Sequence, residues 1–279
     1  MGKFLLVING ETFRHGGQGS RERGDEESFE LQMIATKSQL NFISYIKENN
    51  NLDCDIFLNV YSLNEEWDKE FIKQYGDFAK LININNELLG EIGLHSQTLN
   101  IIKNQINYSE YEFILFLRPD LFLKNYFSSI FNCDSDKITF AHVNEIEDPL
   151  GKSWNQTQCG NPAVNHQIFF TPKKFFTELL EHKLWFNHYS YDLILQHNIK
   201  STNIDFFIYT YHSSSTDVTW NPIFHQVGRN ETTFWVDKKY RVNKLTHKTD
   251  IVENESIYGE LINNDFKHVL GDDNRQYYI

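Results

Sequence analysis

The sequence contains few cysteines and prolines and no long apolar run. Its three cysteines, Cys54, Cys133 and Cys159, are odd in number and widely spaced, which argues against a disulfide framework and against a zinc knuckle. The opening stretch MGKFLLVING is apolar over too short a length for a signal peptide or a membrane span. These absences predict a cytoplasmic protein in a reducing setting.

Basic residues are also scarce, since 26 lysines and arginines stand against 38 aspartates and glutamates, a net charge of −12. A non-specific nucleic-acid binder would need a basic surface, so the charge balance argues against that class. Any anionic ligand would have to be held by locally concentrated cations or by a metal ion.

What the sequence does contain is a regular alternation of apolar strands and helical segments. Strands are predicted at KFLLVI, CDIFLNVYS, FAKLININ, EFILFLRPDLFL, KITFAHVN, HQIFFTP and NIDFFIYTYH, and helices at ESFELQMIATKSQLNFISYIKENN, LHSQTLNIIKNQI, KKFFTELLEHKLWF and YDLILQHNI. This alternation predicts an α/β fold whose mixed, mainly parallel sheet is covered by helices on both faces. Residues 1–230 are expected to form one domain, and the more charged residues 231–279 a C-terminal extension packed on it.

The loop after the first strand, NGETFRHGGQGSRERGDEE, concentrates glycine and arginine. Ligands of open α/β sheets bind where loops leave the carboxyl ends of strands. Gly10 and the later glycines allow the backbone to approach a phosphate closely, and Arg14, Arg21 and Arg23 offer bidentate donors. The loop matches neither a P-loop nor a dinucleotide fingerprint. It predicts an anion site, with a surface loop paired to its own acidic neighbours as the alternative.

A second polar feature interrupts the run EFILFLRPDLFL. Pro119 lacks a backbone donor and fits where ladder pairing ends, which places Asp120 at the carboxyl end of an inner strand, on the same rim as the arginine loop. A carboxylate there suits a divalent cation that takes its other ligands from phosphates. The alternative is a structural pair of Arg118 with Asp120, because a buried charge needs a partner.

Five segments in order, INGETFRHGGQGSRERG, CDIFLNVYS, RPDLFL, NHQIFFTPKKFF and HSSSTDVTWNP, resemble GT-A glycosyltransferases of large DNA viruses of the chlorella type and related bacterial surface-polysaccharide enzymes. The resemblance implies a GT-A-like fold over residues 1–230, in which an acidic DxD motif holds Mn²⁺ or Mg²⁺ on the diphosphate of a nucleotide sugar. Arg118 replaces the first Asp of that motif, so metal binding rests on Asp120. The expected nucleotide contacts are Gly10, Arg14, Arg21, Arg23, Tyr61 and Arg118.

The same resemblance assigns roles in the second half of the chain. Asn165, His166 and Gln167 would face the sugar and acceptor, since amide and imidazole groups suit sugar hydroxyls, although a structural His166 is the alternative. Asp192 would contact the acceptor or else be a plain charge at a helix start. His212, in a loop expected to close over the diphosphate, would be a second metal ligand, with helix capping as the alternative role of that loop.

Together these features predict a glycosyltransferase that moves a hexose or deoxyhexose from a nucleotide sugar, UDP-linked, to a glycan acceptor with help from Mn²⁺ or Mg²⁺. The cytoplasm would be the host's if the protein is viral. Asp192 and His166 are the candidate bases of an inverting reaction, whereas the viral resemblance favours retention. The alternatives are a sugar nucleotidyltransferase and a non-catalytic glycan-binding or virion module on a decayed fold.

Overall fold

The described residues form an open sheet between two layers of helices. The computed structural model describes residues 2–15, 22–123, 135–144, 163–164, 168–181, 204–208, 224–226, 239–243 and 248–252. The helices are α1 (Glu26–Asn50), α2 (Glu65–Tyr75), α3 (Gly90–Gln105) and α4 (Phe176–Glu181). The strands are β1 (Gly2–Gly10), β2 (Arg14–His15), β3 (Glu22–Arg23), β4 (Leu52–Tyr61), β5 (Ala79–Asn85), β6 (Phe113–Leu117), β7 (Leu121–Leu123), β8 (Ile138–Asn144), β9 (Ala163–Val164), β10 (Ile168–Pro172), β11 (Ile204–Ile208), β12 (Phe224–Gln226), β13 (Lys239–Asn243) and β14 (Lys248–Val252).

The main sheet is mixed and mainly parallel, as the sequence predicts. Its order is β5-β4-β1-β6-β10-β8-β11, and β9 pairs with β8. The first four of these strands are parallel to one another, and β11 is parallel to β8. By contrast, β10 runs antiparallel to both of its neighbours. The amino end of β10 therefore lies at the same edge as the carboxyl ends of β1, β4, β5 and β6.

Alternate residues of β1 bury the two faces of the sheet. Phe4, Leu6 and Ile8 pack into a cluster that contains residues of α1 and α2. Leu5 and Val7 pack into a second cluster that contains residues of α3 and α4. Because side chains of a strand alternate between its faces, a continuously apolar strand must be covered on both sides. The predicted helices on both faces are confirmed.

The strand order reverses direction at β1. Helices α1 and α2 lead the chain from β1 to β4 and β5 along one face, and α3 on the other face returns it to β6 on the opposite side of β1. Helices that leave a sheet on opposite faces open a crevice outside the strand ends at such a reversal point. By this rule a crevice is expected between the loop after β1 and the segment after β6, and we use the word for the space outside these two strand ends.

The run EFILFLRPDLFL was predicted to be one strand, and this prediction is wrong. β6 ends at Leu117, and β7 begins at Leu121 in a separate two-stranded sheet, where it pairs antiparallel with β12. Pro119 carries no N–H for a ladder, and the Leu121 N–H instead bonds the Arg118 carbonyl at 3.4 Å across a turn. We call residues 118–120 the Arg-Pro-Asp turn.

Helix α2 has no counterpart among the predicted elements. The Asn64 side chain caps its amino end by accepting a hydrogen bond from the Trp67 N–H at 2.9 Å, and Phe71 and Tyr75 bury its inner face. An N-cap asparagine followed by acidic residues is a helix-start signal that was present in the sequence.

Several predictions lie partly or wholly outside the described residues. The helix at KKFFTELLEHKLWF is described only as far as Glu181, and the helix at YDLILQHNI is not described at all. The hairpin of β13 and β14 falls within the predicted C-terminal extension, and the division at residue 230 stays a prediction. Among the described residues, no helix is long and apolar enough to cross a bilayer.

Candidate functional site

The loop after β1 begins in direct contact with the Arg-Pro-Asp turn. Gly10 has φ +144, and a Cβ on it would lie 2.9 Å from Pro119 Cδ. A side chain at this position would therefore be strained by its backbone conformation and would also collide with the proline ring. Gly10 thus has a packing role, because it allows the two flanks of the crevice to touch, and its predicted contact with a nucleotide stays a prediction.

The stem of the first loop is anchored before its arginines begin. The Thr12 hydroxyl donates to the Tyr61 carbonyl oxygen at 3.2 Å, and the buried Phe13 ring stacks on Phe29. Phe13 has φ +51, and its carbonyl accepts a hydrogen bond from the Gly24 N–H at 3.1 Å. These contacts close the two ends of the loop on each other.

Two of the predicted anion-binding arginines are brought together by backbone pairing. Arg14 in β2 is the register partner of Arg23 in β3, on a short antiparallel ribbon. The backbone positions of these two arginines are therefore neighbours, shortly after the end of β1. Arg21 lies outside the described residues.

The Arg-Pro-Asp turn holds a buried ion pair. Arg118 Nη2 lies 2.6 Å from Asp120 Oδ2, with 17% of the Arg118 side chain and 2% of the Asp120 side chain exposed. The structural pair, which was the alternative interpretation of this stretch, is therefore present. It does not test whether Asp120 also binds a metal ion, so that assignment stays a prediction.

Helix α1 holds the turn in place through buried polar side chains. Gln32 Nε2 donates to the Pro119 carbonyl oxygen at 2.8 Å, and Gln39 Nε2 donates to the same oxygen at 3.1 Å and to that of Leu121 at 2.9 Å. The Ser38 hydroxyl accepts from the Leu123 N–H at 2.9 Å. The sequence analysis missed these residues, although Gln32 and Gln39 stand seven positions apart, on one face of a helix whose inner side is apolar.

Tyr75 of α2 supports the second of these glutamines. Its hydroxyl donates to Gln39 Oε1 at 2.7 Å. Burial raises the pKa of the Tyr75 phenol well above its usual range, so the group stays a donor at all physiological pH values. The amide of Gln39 is therefore fixed at both of its ends.

A second polar cluster lies between the ends of β4 and β5 and helix α3. The fully buried Asn59 donates through Nδ2 to Thr98 Oγ1 at 2.7 Å and accepts through Oδ1 from Asn83 and Asn85 at 2.7 and 2.9 Å. Gln97 donates to Asn85 Oδ1 at 2.8 Å. This cluster, also missed from the sequence, fixes the amino-terminal half of α3 against the sheet edge.

Tyr61, a predicted nucleotide contact, is buried at the carboxyl end of β4. Its hydroxyl donates to the Gly90 carbonyl oxygen at 3.2 Å, and its own carbonyl accepts from Thr12. The structure therefore places Tyr61 at the expected edge with both polar ends bonded to protein, and its contact with a nucleotide stays a prediction.

His95 is an imidazole at this edge that the sequence analysis did not single out. Its ring centre lies 5.8 Å from that of Phe116 in β6 and 6.3 Å from that of Phe169 in β10. These phenylalanines are register partners one residue from the strand ends, so the half-buried His95 stands on the α3 side of the crevice.

Two described strands, β10 and β12, adjoin segments to which the sequence analysis assigned sugar, acceptor and metal contacts. β10 starts at Ile168, opposite Leu117, so the amino end of β10 lies where β6 ends. β12 pairs Gln226 with Leu121, which returns the chain beside the Arg-Pro-Asp turn after the loop predicted to close over the diphosphate. The assigned residues themselves lie outside the described part of the chain and stay predictions: Asn165, His166, Gln167, Asp192 and His212.

The described residues do not complete a metal site. Nowhere in the described ranges do three or more His, Cys, Asp or Glu side chains gather closely enough to hold a metal ion. Asp120 supplies one carboxylate, and one of its oxygens is already bound to the Arg118 guanidinium. A metal ion at Asp120 would therefore share the carboxylate with this cation and take its other ligands from outside the described residues or from a phosphate.

No protein-family model and no curated protein matches this chain. Similar solved structures include a glycosyltransferase involved in glycosylation of the major capsid of PBCV-1, with 12% identity and a TM-score of 0.33 over 72% of this chain and 80% of that one. A putative nucleotide-diphospho-sugar transferase from Desulfovibrio desulfuricans has 8% identity and a TM-score of 0.41 over 74% and 81%. The 4-diphosphocytidyl-2C-methyl-D-erythritol synthase from Anaerococcus prevotii has 11% identity and a TM-score of 0.43 over 95% and 96%.

At such identities and TM-scores, the likeness does not say what this chain binds or transfers. The function has to be argued from its own residues.

Proposed function

We propose that the chain is a glycosyltransferase that moves a sugar from a nucleoside diphosphate donor, UDP-linked, to a glycan acceptor. One observation carries the proposal: the arginine loop after β1 and the Arg-Pro-Asp turn after β6 touch through Gly10 and Pro119 at the point where the strand order reverses. Open α/β sheets bind their ligands in the crevice at this point.

The charges at the crevice suit a diphosphate. Arg14 and Arg23 pair on the ribbon after β1, and Arg118 stands partly exposed across the contact. Sugar transfer leaves negative charge on the departing diphosphate, and fixed guanidinium groups stabilise such charge in a site screened from water. Because a guanidinium can bind a carboxylate and a phosphate at once, Asp120 would orient Arg118 towards the donor.

Mn²⁺ or Mg²⁺ assistance remains part of the proposal. The ion would bind Asp120 together with His212, which lies outside the described residues, and would supply further positive charge to the diphosphate when bound. The described residues favour a reaction in which Arg118 provides charge stabilisation in its own right. The dependence of turnover on added metal measures how much of the charge stabilisation comes from the metal ion and how much from Arg118.

The acceptor side of the proposal rests mainly on the three residues that precede β10 in the sequence. Asn165, His166 and Gln167 would hold sugar hydroxyls, and Asp192 would contact the acceptor or remove its proton. The donor sugar would be a hexose or deoxyhexose, and the sequence resemblance favours retention of its anomeric configuration. The product's anomeric configuration, read by proton NMR, distinguishes retention from inversion.

The test is to incubate the protein with a panel of UDP-sugars, with Mn²⁺ or with a chelator, and to measure released UDP. We expect slow hydrolysis of one donor by the native protein. Lys69→Ala is a suitable control, because Lys69 is exposed on α2 and pairs with Glu65 on the same helix. Pyrophosphate release from a nucleoside triphosphate would instead indicate the nucleotidyltransferase. Absence of both activities and of nucleotide binding would favour a non-catalytic module.

A further inference from the structure

One buried amide contacts both flanks of the crevice. Gln32, in α1, is 2% exposed. Its Oε1 accepts a hydrogen bond from the Phe13 N–H at 3.3 Å, and its Nε2 donates to the Pro119 carbonyl oxygen at 2.8 Å. Only a carboxamide offers an acceptor and a donor on neighbouring atoms in this way. Gln32 therefore joins the stem of the arginine loop to the Arg-Pro-Asp turn.

Both contacts fall on backbone that lies next to charged residues in the sequence. Phe13 has a left-handed φ of +51, which is unfavourable for a bulky residue and persists where the surroundings hold it. Arg14 follows it immediately. Pro119 stands between Arg118 and Asp120, so the position of its carbonyl group fixes the ion pair. A change at Gln32 would release the two flanks together.

We propose that Gln32 is a positioning residue that fixes the arginine loop relative to the Arg-Pro-Asp turn, so that both bind one diphosphate. The inference rests on the proposed function for the identity of the ligand. The mechanical link between the flanks does not depend on it.

Gln39 provides a matched control within the same helix. It is also fully buried, faces the same side of α1, and donates to the same Pro119 oxygen. Among the described residues, its hydrogen bonds reach only the turn segment and Tyr75, and none reaches the first loop. Gln39→Met and Gln32→Met each remove one buried amide, and Gln39→Met should lower thermal stability at least as much, because Gln39 makes three of these hydrogen bonds and Gln32 makes two.

The experiment compares hydrogen exchange and UDP binding in Gln32→Met, Gln39→Met and the native chain. We expect Gln32→Met to speed exchange in both segments, 13–24 and 121–123, and to weaken UDP binding about tenfold. Gln39→Met should speed exchange only in 121–123 and change UDP affinity by less than about threefold. If Gln32→Met does not fold, Gln32→Asn, whose amide is one methylene too short, should give the same two-segment pattern.

The outcomes separate this inference from the proposed function. If the native chain binds UDP but Gln32→Met leaves exchange in 13–24 unchanged, or if both variants lose UDP affinity equally, Gln32 has only a structural role. If the native chain binds no nucleoside diphosphate, the proposed function fails, and the two-segment exchange pattern alone then supports or overturns the link.

Discussion

At the residue scale, the Arg118–Asp120 pair places two opposite charges beside the crevice. The carboxylate is almost fully buried, whereas the guanidinium keeps a partly exposed edge. Stripping a carboxylate of water is unfavourable unless a cation compensates it, so each partner depends on the other for its stability. The pair is consequently a structural element. Under the proposed function, Asp120 also orients the Arg118 guanidinium that binds phosphate.

Asp120→Asn should lower the free energy of unfolding by about 3 kcal/mol, because it keeps the side-chain shape and leaves a largely buried guanidinium uncompensated. Urea denaturation measures this loss. If Asp120 also binds Mn²⁺, the variant should in addition lose metal-stimulated turnover. A large loss of stability with an unaltered metal response would remove Asp120 from the proposed metal site, and Arg118→Lys, which keeps the charge, should be the milder change.

Arg14→Ala should weaken UDP binding by about 1.5–3 kcal/mol, the usual contribution of a hydrogen bond to a charged group. Isothermal titration calorimetry checks this, with Lys69→Ala as the control for a lost surface charge. Arg21→Ala and Arg23→Ala belong in the same series. Unchanged UDP affinity in all three arginine variants would remove the loop from the site.

At the scale of elements, the central strands are held by contacts at both ends, one set at the carboxyl edge of the sheet and one at the amino edge. At the carboxyl edge, the end of β1 meets the Arg-Pro-Asp turn at Gly10. At the opposite, amino edge, Lys3 of β1 pairs with Asp55 of β4, and the Tyr111 hydroxyl donates to the same carboxylate at 2.8 Å just before β6. The first contact belongs to the proposed site, and the second holds the three central strands together far from it.

Gly10→Ala should destabilise the chain by about 1–3 kcal/mol and also weaken UDP binding, because the new methyl group must displace Pro119. Gly76→Ala is the matched control: Gly76 also has a positive φ, of +51, but a Cβ there meets nothing within 4 Å. The control should lose stability through backbone strain and keep its UDP affinity. Equal UDP affinities in the two variants would show that the Gly10–Pro119 contact does not shape the site.

The amino-edge cluster should make stability fall above about pH 10. The hydrogen bond with Asp55 raises the pKa of Lys3, and burial followed by Asp55 raises that of Tyr111. Both groups thus keep their protons in the folded chain at pH values where the unfolded chain loses them, so stability is complete below the unfolded pKa values and is lost as pH rises. Tyr111→Phe should cost about 1 kcal/mol at neutral pH and flatten the alkaline decline, measured by urea denaturation at several pH values. An identical decline in the variant would contradict the assignment.

At the scale of the whole molecule, a local reversal of charge lies within a strongly acidic chain. The net charge of −12 repels an anion at long range, while the backbone positions of Arg14, Arg23 and Arg118 all follow strands that end at one edge of the sheet. An anionic donor would therefore be held by short-range, directional contacts. Because the donor would bind the folded chain and not the unfolded one, its binding would increase the free energy of unfolding.

UDP at one hundred times its dissociation constant should stabilise the folded chain by about 2.7 kcal/mol and raise the melting temperature by roughly 5 °C. A thermal-shift panel measures this, with UMP, which lacks the second phosphate, expected to give a clearly smaller rise. Arg14→Ala should reduce the UDP shift at the same concentration. A rise that is larger with a nucleoside triphosphate than with any diphosphate would favour the nucleotidyltransferase.

The sequence by itself determined the identity of most elements and the edge of the sheet at which we propose the site. Apolar runs such as KFLLVI and CDIFLNVYS are buried on both faces wherever they sit, and the helical spacing from Phe29 to Ile46 is a local property of the chain. The glycine and arginine after the first strand and the polar break at Pro119 likewise mark strand ends without reference to any partner.

Only the tertiary structure decided which strand neighbours which, and therefore where the crevice opens. Contacts between residues distant in the sequence place β1 between β4 and β6 and pair β7 with β12 outside the main sheet. Such contacts also bring Gln32 to both Phe13 and Pro119. The hydrophobic periodicity of a helix or strand indicates which of its faces is buried. It does not indicate which other element covers that face. A buried glutamine on an apolar face can be assigned a role only once its partners are known, because its two hydrogen bonds, rather than its position in the helix, determine what it does.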